Sequence, residues 1–305
     1  MRAIRIHRFG GPEVLQLDEI DKPSTDGGKL RIRVAAASVN PVDYKIRRGG
    51  YPGVSDADLP ITLGKDLAGV VEIAAGEFKV GDEVYAHVTW PDGAYVDYAV
   101  IAPSGVAAKP KSLDMIAAAA VPLAATTAWQ GLFDHGGLKS GQTVLIHGAS
   151  GGVGGFAVQF AKAKGARVIA TASGDGLQTV RDYGADVVVD YKTQKFEDVA
   201  HDVDLVFDLI GGDTQARSFA VLKSGGTLIS TVQNPDPAKA AEKQLKAERY
   251  MATPNGAELA EMAALIDAGK VKVVVAKTFP LAQAADAHRF LENGHPRGKV
   301  VLTTS

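Results

Sequence analysis

The chain contains no cysteine. No disulfide can form, and zinc or iron–sulfur sites held by thiolates are excluded. A cysteine nucleophile is excluded with them. An excess of one charge is lacking too: 33 Lys and Arg stand against 35 Asp and Glu in 305 residues. A chain so balanced has no general field to gather nucleic acid or an anionic membrane, and no dense basic cluster stands out. Long apolar runs are missing as well. The most apolar stretch, Met115 to Ala128, is broken by Pro122 and is too short to span a bilayer. The first residues, Met1 to His7, lack the apolar core of a signal peptide. The expectation is an ordinary soluble globular chain, cytoplasmic by default, with no nucleic-acid or membrane partner. Its length leaves room for two domains.

What is present falls into two patterns. Lys29 to Val34 alternates polar and apolar residues, as a half-buried strand does. Similar short runs follow at Gly69 to Ile73, Glu83 to Ala86 and Tyr95 to Ile101, punctuated by Gly, Pro and Asp. They predict a barrel or compact antiparallel sheet. Ser112 to Ala120 favours helix, and from Gly141 onward strands alternate with helices. Strands are expected at Thr143 to His147, Arg167 to Ala172, Asp186 to Val189, Asp204 to Leu209 and Gly226 to Val232. Gly152 to Lys164 carries Val153, Phe156, Ala157, Phe160 and Ala161 at helical spacing. This alternation predicts βαβ units and a parallel sheet. Pro235 to Glu248 reads as a short surface helix. Asn255 is placed to cap a helix from Gly256 to Ala268, and Val271 to Val275 and Lys299 to Leu302 read as strands.

At the junction of the first βα pair lies His147-Gly148-Ala149-Ser150-Gly151-Gly152-Val153-Gly154. A helix start offers unpaired N–H groups and the positive end of its dipole, and glycines let a diphosphate approach the backbone. Strand, turn and helix in that order predict a dinucleotide cradle built from Ala149, Ser150, Gly151, Gly152, Val153 and Gly154. Readers of NAD place a carboxylate at the end of the next strand, about 20 residues on. Here that stretch is Ile169 to Gly174, without an acid, and Ser173 can donate to a 2′-phosphate. NADPH is the favoured cofactor. The same turn also matches the G-x-S-x-G elbow of serine hydrolases. In that alternative Ser150 is the nucleophile, with Asp208 and either His288 or His295 as partners. The glycines running on to Gly155 and the lack of an upstream oxyanion segment count against it.

Further runs extend the pattern: Phe9 to Leu15, Ser38-Val39-Asn40-Pro41-Val42-Asp43-Tyr44-Lys45, Gly64-Lys65-Asp66-Leu67-Ala68-Gly69, Phe78 to Val84, and Arg297-Gly298-Lys299-Val300-Val301-Leu302. With the glycine turn, they make the whole chain resemble the zinc-free medium-chain dehydrogenase/reductases, in the quinone oxidoreductase and alkenal/enone reductase branch. The resemblance implies an α/β protein: a Rossmann doubly wound parallel sheet, residues 119–269, plus a GroES-like β-barrel domain, residues 1–118 and 270–305. Zinc-dependent relatives carry a Cys at the position of Asn40, His and Glu at Lys65 and Asp66, and a second Cys near Leu123. Only Asp66 is even similar here, so no metal is expected, and Lys65 is expected to put a cation in the metal's place. By position, Thr127, Tyr191, Ile210, Gly211, Ser230, Val232 and Lys299 join the expected cofactor contacts.

Without a Lewis acid, reduction of an already polarised acceptor is easier than oxidation of an alcohol. The expected reaction is hydride transfer from NADPH to a small-molecule quinone or α,β-unsaturated carbonyl. Oxygen on the acceptor gains negative charge as hydride arrives, so a nearby donor helps. Candidate donors are Asn40, Lys45, Tyr51 and Lys65. Lys45 has a plainer alternative as a surface lysine paired with Asp43, and His87 reads as a loop residue near Trp90. A non-catalytic NADPH-binding protein is a third alternative. Arg249 to Ala252 reads as an edge strand through which a homodimer is plausible.

Overall fold

The computed structural model describes every residue except Asp26, His295 and Ser305. The first part of the chain forms β1 (Arg2–Ile6), β2 (Leu15–Glu19), β3 (Leu30–Val39), α1 (Pro41–Arg47), β4 (Ile61–Thr62), β5 (Asp66–Ile73), β6 (Glu83–His87), β7 (Tyr98–Ile101), β8 (Val106–Ala108) and α2 (Met115–Ala119). The middle forms α3 (Pro122–Trp129), β9 (Thr143–Ile146), α4 (Gly152–Ala163), β10 (Arg167–Ala172), α5 (Gly176–Asp182), β11 (Val187–Asp190), β12 (Val203–Asp208), α6 (Gly212–Val221), β13 (Leu222–Ser230), α7 (Pro237–Glu242) and β14 (Lys246–Arg249). The last part forms α8 (Gly256–Asp267), β15 (Val275–Pro280), α9 (Ala284–Asn293) and β16 (Lys299–Thr303).

Two compact units result. One comprises Met1–Leu123, Thr253–Asp267 and Val273–Ser305; the other comprises Ala124–Ala252 and Ala268–Lys272. The division expected at 118/119 and 269/270 is therefore corrected at α8, which groups with the β-rich unit. The reason is close packing. A Cβ on Gly256 would lie 2.3 Å from the Val106 carbonyl oxygen. The Tyr85 hydroxyl also donates to the Leu259 carbonyl at 2.5 Å.

In the β-rich unit, strands run in the order β15-β16-β3-β5-β6-β8, with β7 also paired to β3, and a second sheet runs β2-β1-β4. All pairs are antiparallel except β15 with β16. Leu30, Ile32 and Val34 turn inward while Arg33 is exposed, as strand alternation requires. Each such side chain, fully buried, contributes roughly 1.5–3 kcal/mol.

In the other unit, six parallel strands run β11-β10-β9-β12-β13-β14. Central β9 carries Val144, Leu145 and Ile146, all fully buried, the continuous apolar run of a strand covered on both faces. Counted in chain order this is 3-2-1-4-5-6, a doubly wound sheet whose order reverses between β9 and β12. Ligands of such sheets bind at that reversal, beyond the carboxyl ends of the strands.

Three local expectations are corrected. The helix expected over 235–248 stops at Glu242, and Lys246–Arg249 becomes the edge strand, ahead of the expected 249–252. Residues 271–274 are not strand; β15 begins at Val275 and alternates around buried Phe279. Gly256–Asp267 is helical as expected, with the Asn255 side chain accepting from Ala257 N and Glu258 N. Among the described residues, no helix is long and apolar enough to cross a membrane.

Candidate active site

In the parallel unit, the turn after β9 feeds directly into α4. The α4 N-cap is Gly151, and no side chain caps the helix. Its first N–H groups therefore have no acceptor inside the helix. Gly154 is required by the fold: a Cβ there would lie 2.3 Å from the Gly148 oxygen and 2.6 Å from the Ala149 Cα. Gly151 is different. Its φ is −76°, and a Cβ would meet nothing closer than the Gly148 oxygen at 3.4 Å. The fold tolerates a side chain there. The open space over the helix start is thus a cradle that a Cβ would fill, and it fits a diphosphate. Ala149 is buried, with its N–H bonded to the Thr171 carbonyl, while Gly152 is exposed and Val153 half-buried.

Neighbouring strand ends complete this edge. After β10 and β11, the Ser173 hydroxyl donates to the Tyr191 hydroxyl at 2.8 Å, and Tyr191 is 59% exposed. After β12, Asp208 Oδ1 accepts from the N–H groups of Ile210 and Gly211 at 3.0 and 2.9 Å, leaving the Ile210 side chain exposed. After β13, Val232 is exposed but Ser230 is not: its hydroxyl is buried and donates to Asp208 Oδ2 at 2.9 Å. Ser230 supports the loop from beneath. It does not present its hydroxyl to a ligand, which corrects one expected contact. Thr127 is half-buried in α3, and its carbonyl accepts from the Tyr250 hydroxyl.

The hydrolase reading fails on geometry. Asp208 has both oxygens committed, to Ile210, Gly211, Gln215 and Ser230. The His288 ring is bonded through Nδ1 to Arg47 at 2.9 Å and through Nε2 to Tyr95 at 3.4 Å. His295 lies outside the described residues. The ring of His147, beside the turn, is bonded to the hydroxyls of Thr171 and Ser218, and burial pushes its pKa down to about 4. Among the described residues none of these candidates is left to activate Ser150, which packs against Gly176.

In the β-rich unit, a buried polar cluster gathers Asn40 and Asp66, two of the positions the resemblance assigns to metal ligands. Asn40 Nδ2 donates to Asp66 Oδ2 at 2.7 Å, and its Oδ1 accepts from Lys299 Nζ. Asp66 Oδ2 also accepts from the Ser38 hydroxyl, and its Oδ1 accepts from Leu123 N. The cation joining this set is Lys299, 3.7 Å from Asp66, and not Lys65 as expected. Burial lowers the Lys299 pKa, while Asp66 and Asp43 oppose the shift. Two expected contacts are corrected with it. The Lys299 ammonium is engaged by Asn40 and Asp66, so it is no free donor for a cofactor. Asn40 has its amide engaged and is no free donor. A donor set of one amide and one carboxylate, already bridged by an ammonium, does not fit zinc. No group of three or more His, Cys, Asp or Glu among the described residues could hold a metal.

Lys65 points elsewhere. Its Nζ donates to the Asp92 carbonyl at 3.1 Å and lies 5.7 Å from the centre of the Trp90 ring. Burial lowers its pKa, against the pull of Asp43 and Asp92. Lys45 is exposed on α1, and the surface pair with Asp43 does not form. Tyr51 packs partly buried against the barrel core.

Sequence reasoning missed a second buried chain. Asp43 Oδ2 accepts from Asn40 N at 2.7 Å and from the Tyr95 hydroxyl at 3.0 Å. Tyr95 meets His288, His288 meets Arg47, and Arg47 pairs with Glu292 at 2.6 Å. The Arg47 guanidinium carries donors only, so it donates to Nδ1, and the proton of neutral His288 sits on Nε2. The signal available in the sequence was Asn40-x-x-Asp43, the spacing of a capping box at the start of α1.

Comparison with known proteins agrees with this geometry. Residues 26–111 match the family described as alcohol dehydrogenase GroES-like domain, and residues 183–302 match zinc-binding dehydrogenase. The chain is 37% identical over 317 residues to the NADPH-dependent alkenal/one oxidoreductase of Arabidopsis thaliana chloroplasts, covering 99% of this chain and 79% of the relative. Among solved structures, the quinone oxidoreductase of Coxiella burnetii superposes with a TM-score of 0.91 at 33% identity, covering 100% and 99% of the two chains. The quinone oxidoreductase of Escherichia coli, complexed with NADPH, gives 0.87 at 29% identity, covering 99% and 100%. A doubly wound sheet with a glycine cradle, a GroES-like unit and an ammonium in the metal's place have one common meaning: the chain belongs to the zinc-free medium-chain dehydrogenase/reductases, in the quinone oxidoreductase and alkenal/one reductase branch.

Proposed function

We propose that the protein is an NADPH-dependent reductase of a quinone or an α,β-unsaturated carbonyl compound. The observation that carries this is the uncapped, glycine-lined start of α4 at the reversal of the strand order, with no acid at the end of β10. Two relatives support it: one named as NADPH-dependent and acting on alkenals and enones, one a quinone oxidoreductase complexed with NADPH. When bound, the reduced nicotinamide supplies the hydride.

The chain's own residues hold, orient and polarise. Backbone N–H groups at the start of α4, from Gly152 to Gly154, take the diphosphate. The Tyr191 hydroxyl, which accepts from Ser173, is left to donate to the adenosine phosphate. Negative charge gathers on the acceptor oxygen, and the Lys65 ammonium is the donor suited to it, since among the described residues only the Asp92 carbonyl accepts from it. A cytoplasmic location and a homodimer through edge strand β14 belong to the same reading.

The test is NADPH consumption by the purified protein with phenanthrenequinone and with a series of alkenals, against a no-enzyme control. Turnover with either class is the expected result. NADPH binding without turnover would leave a cofactor-binding protein only. No binding and no turnover would overturn the reading.

A further inference from the structure

His87 ends β6, directly across the ladder from Asp66. It is 4% exposed, and its Nδ1 is buried without a hydrogen-bond partner among the described residues. No hydrogen bond from Nε2 to a described residue is formed either. A neutral imidazole has one donor and one acceptor nitrogen. Leaving Nδ1 unused in the interior costs about 1–3 kcal/mol. Such a ring is rare unless something absent from the protein completes it. Asp66 does not: both its oxygens are committed to Ser38, Asn40 and Leu123.

What surrounds the ring has a matching need. Lys65 is on the adjoining backbone, its carbonyl accepting from Val88 N at 2.8 Å, and its charge acts on His87. It uses one ammonium hydrogen, on Asp92. Asp43 Oδ1 is also buried without a partner, and Asp43 interacts electrostatically with Lys65. Lys65 thus keeps ammonium hydrogens that no described residue accepts, and its charge acts on the His87 ring. The common complement of the ammonium and the ring is an uncharged oxygen-bearing group that accepts from Lys65 and His87. Burial also pushes the His87 pKa down to about 4, so the ring is neutral near neutral pH and adds no second charge beside Lys65.

We propose that His87 contacts the substrate, donating a hydrogen bond to the carbonyl oxygen of the quinone or enone that Lys65 polarises. The inference rests on the reductase reading and names the acceptor end of its site. His87 neither gains nor loses a proton in it: the ring orients the acceptor and shares the charge that develops on its oxygen.

The experiment compares His87→Phe with His87→Gln, the second keeping a donor and an acceptor. With saturating NADPH, His87→Phe is expected to lower kcat/KM for quinone and alkenal by about tenfold, the worth of one lost hydrogen bond. His87→Gln should recover most of it, and NADPH affinity should stay unchanged in both. A readout without turnover goes with it. In nitrogen-labelled wild-type protein holding oxidised cofactor, the His87 ring signal, identified by its loss in His87→Gln, should shift as quinone is titrated. Should His87→Phe fail to fold, the Gln variant and this titration decide alone. Unchanged kcat/KM in a folded His87→Phe, or a ring signal blind to quinone because only water meets the ring, would overturn the proposal. NADPH oxidation by the wild type tests the reductase reading separately.

Discussion

Asp43 shows how much one buried carboxylate can impose. It has no cation within ion-pair distance among the described residues, and burial pushes its pKa from the ordinary 3.8 up to about 6. The folded protein therefore holds this proton to a higher pH than the unfolded chain does. Between about pH 4 and about pH 6, folding takes up a proton, and stability falls as pH rises. The contribution is complete below 3.8 and gone above about 6, and it is on the order of 3 kcal/mol. Asp43→Asn isolates it. The amide oxygen can still accept from Asn40 N and the Tyr95 hydroxyl, so α1 keeps its cap. Denaturant unfolding should show the variant gaining on the wild type from about pH 4 to about pH 7. A difference that stays flat over that range would mean Asp43 is ionised throughout.

At the scale of elements, the β9–α4 junction separates glycines that serve the fold from those that serve a ligand. Gly154→Ala drives a Cβ into the backbone of Gly148 and Ala149, which cannot swing aside as a side chain can. It should destabilise by more than about 2 kcal/mol. Gly151→Ala meets only ordinary van der Waals contact, so stability should stay within about 0.5 kcal/mol while NADPH affinity falls. Thermal unfolding and a fluorescence titration of NADPH check the two. If Gly151→Ala binds NADPH as well as the wild type, the diphosphate does not lie over that residue.

This junction was legible in the sequence because everything that defines it is local: a buried strand, a turn, and apolar residues at helical spacing. The polar cluster was less so. Lys299 and Asn40 are 259 residues apart, and no pattern within either run announces their pairing. Lys65 therefore seemed the better occupant of the metal's place. Residues 271–274 misled for a related reason. A β-branched run fits a strand, but β15 begins only where Val275 pairs with Lys299 on β16. The Ala287 and His288 face of α9 went unread because alanine carries a weak apolar signal.

At the scale of the whole molecule, the described residues form two separate hydrophobic cores. One gathers residues such as Ile32, Val34, Leu67 and Val300; the other gathers Leu145, Ile169, Val206 and Leu228. The residues of the cofactor cradle belong to the second unit alone, and Asp43 belongs to the first. Anything that binds the folded state and not the unfolded one adds stability, about 2.7 kcal/mol at a hundredfold excess over Kd. If each unit opens on its own core, NADPH should stabilise mainly the second. Hydrogen exchange is then expected to slow at 148–154, 173–176 and 210–212, and at the slowest amides of β9 and β12. The amides of β3 and β5 should keep their rates, while Asp43→Asn shifts their exchange with pH and leaves β9 as it was. Equal slowing in β3 and β9 on adding NADPH would show that the two cores open as one cooperative unit.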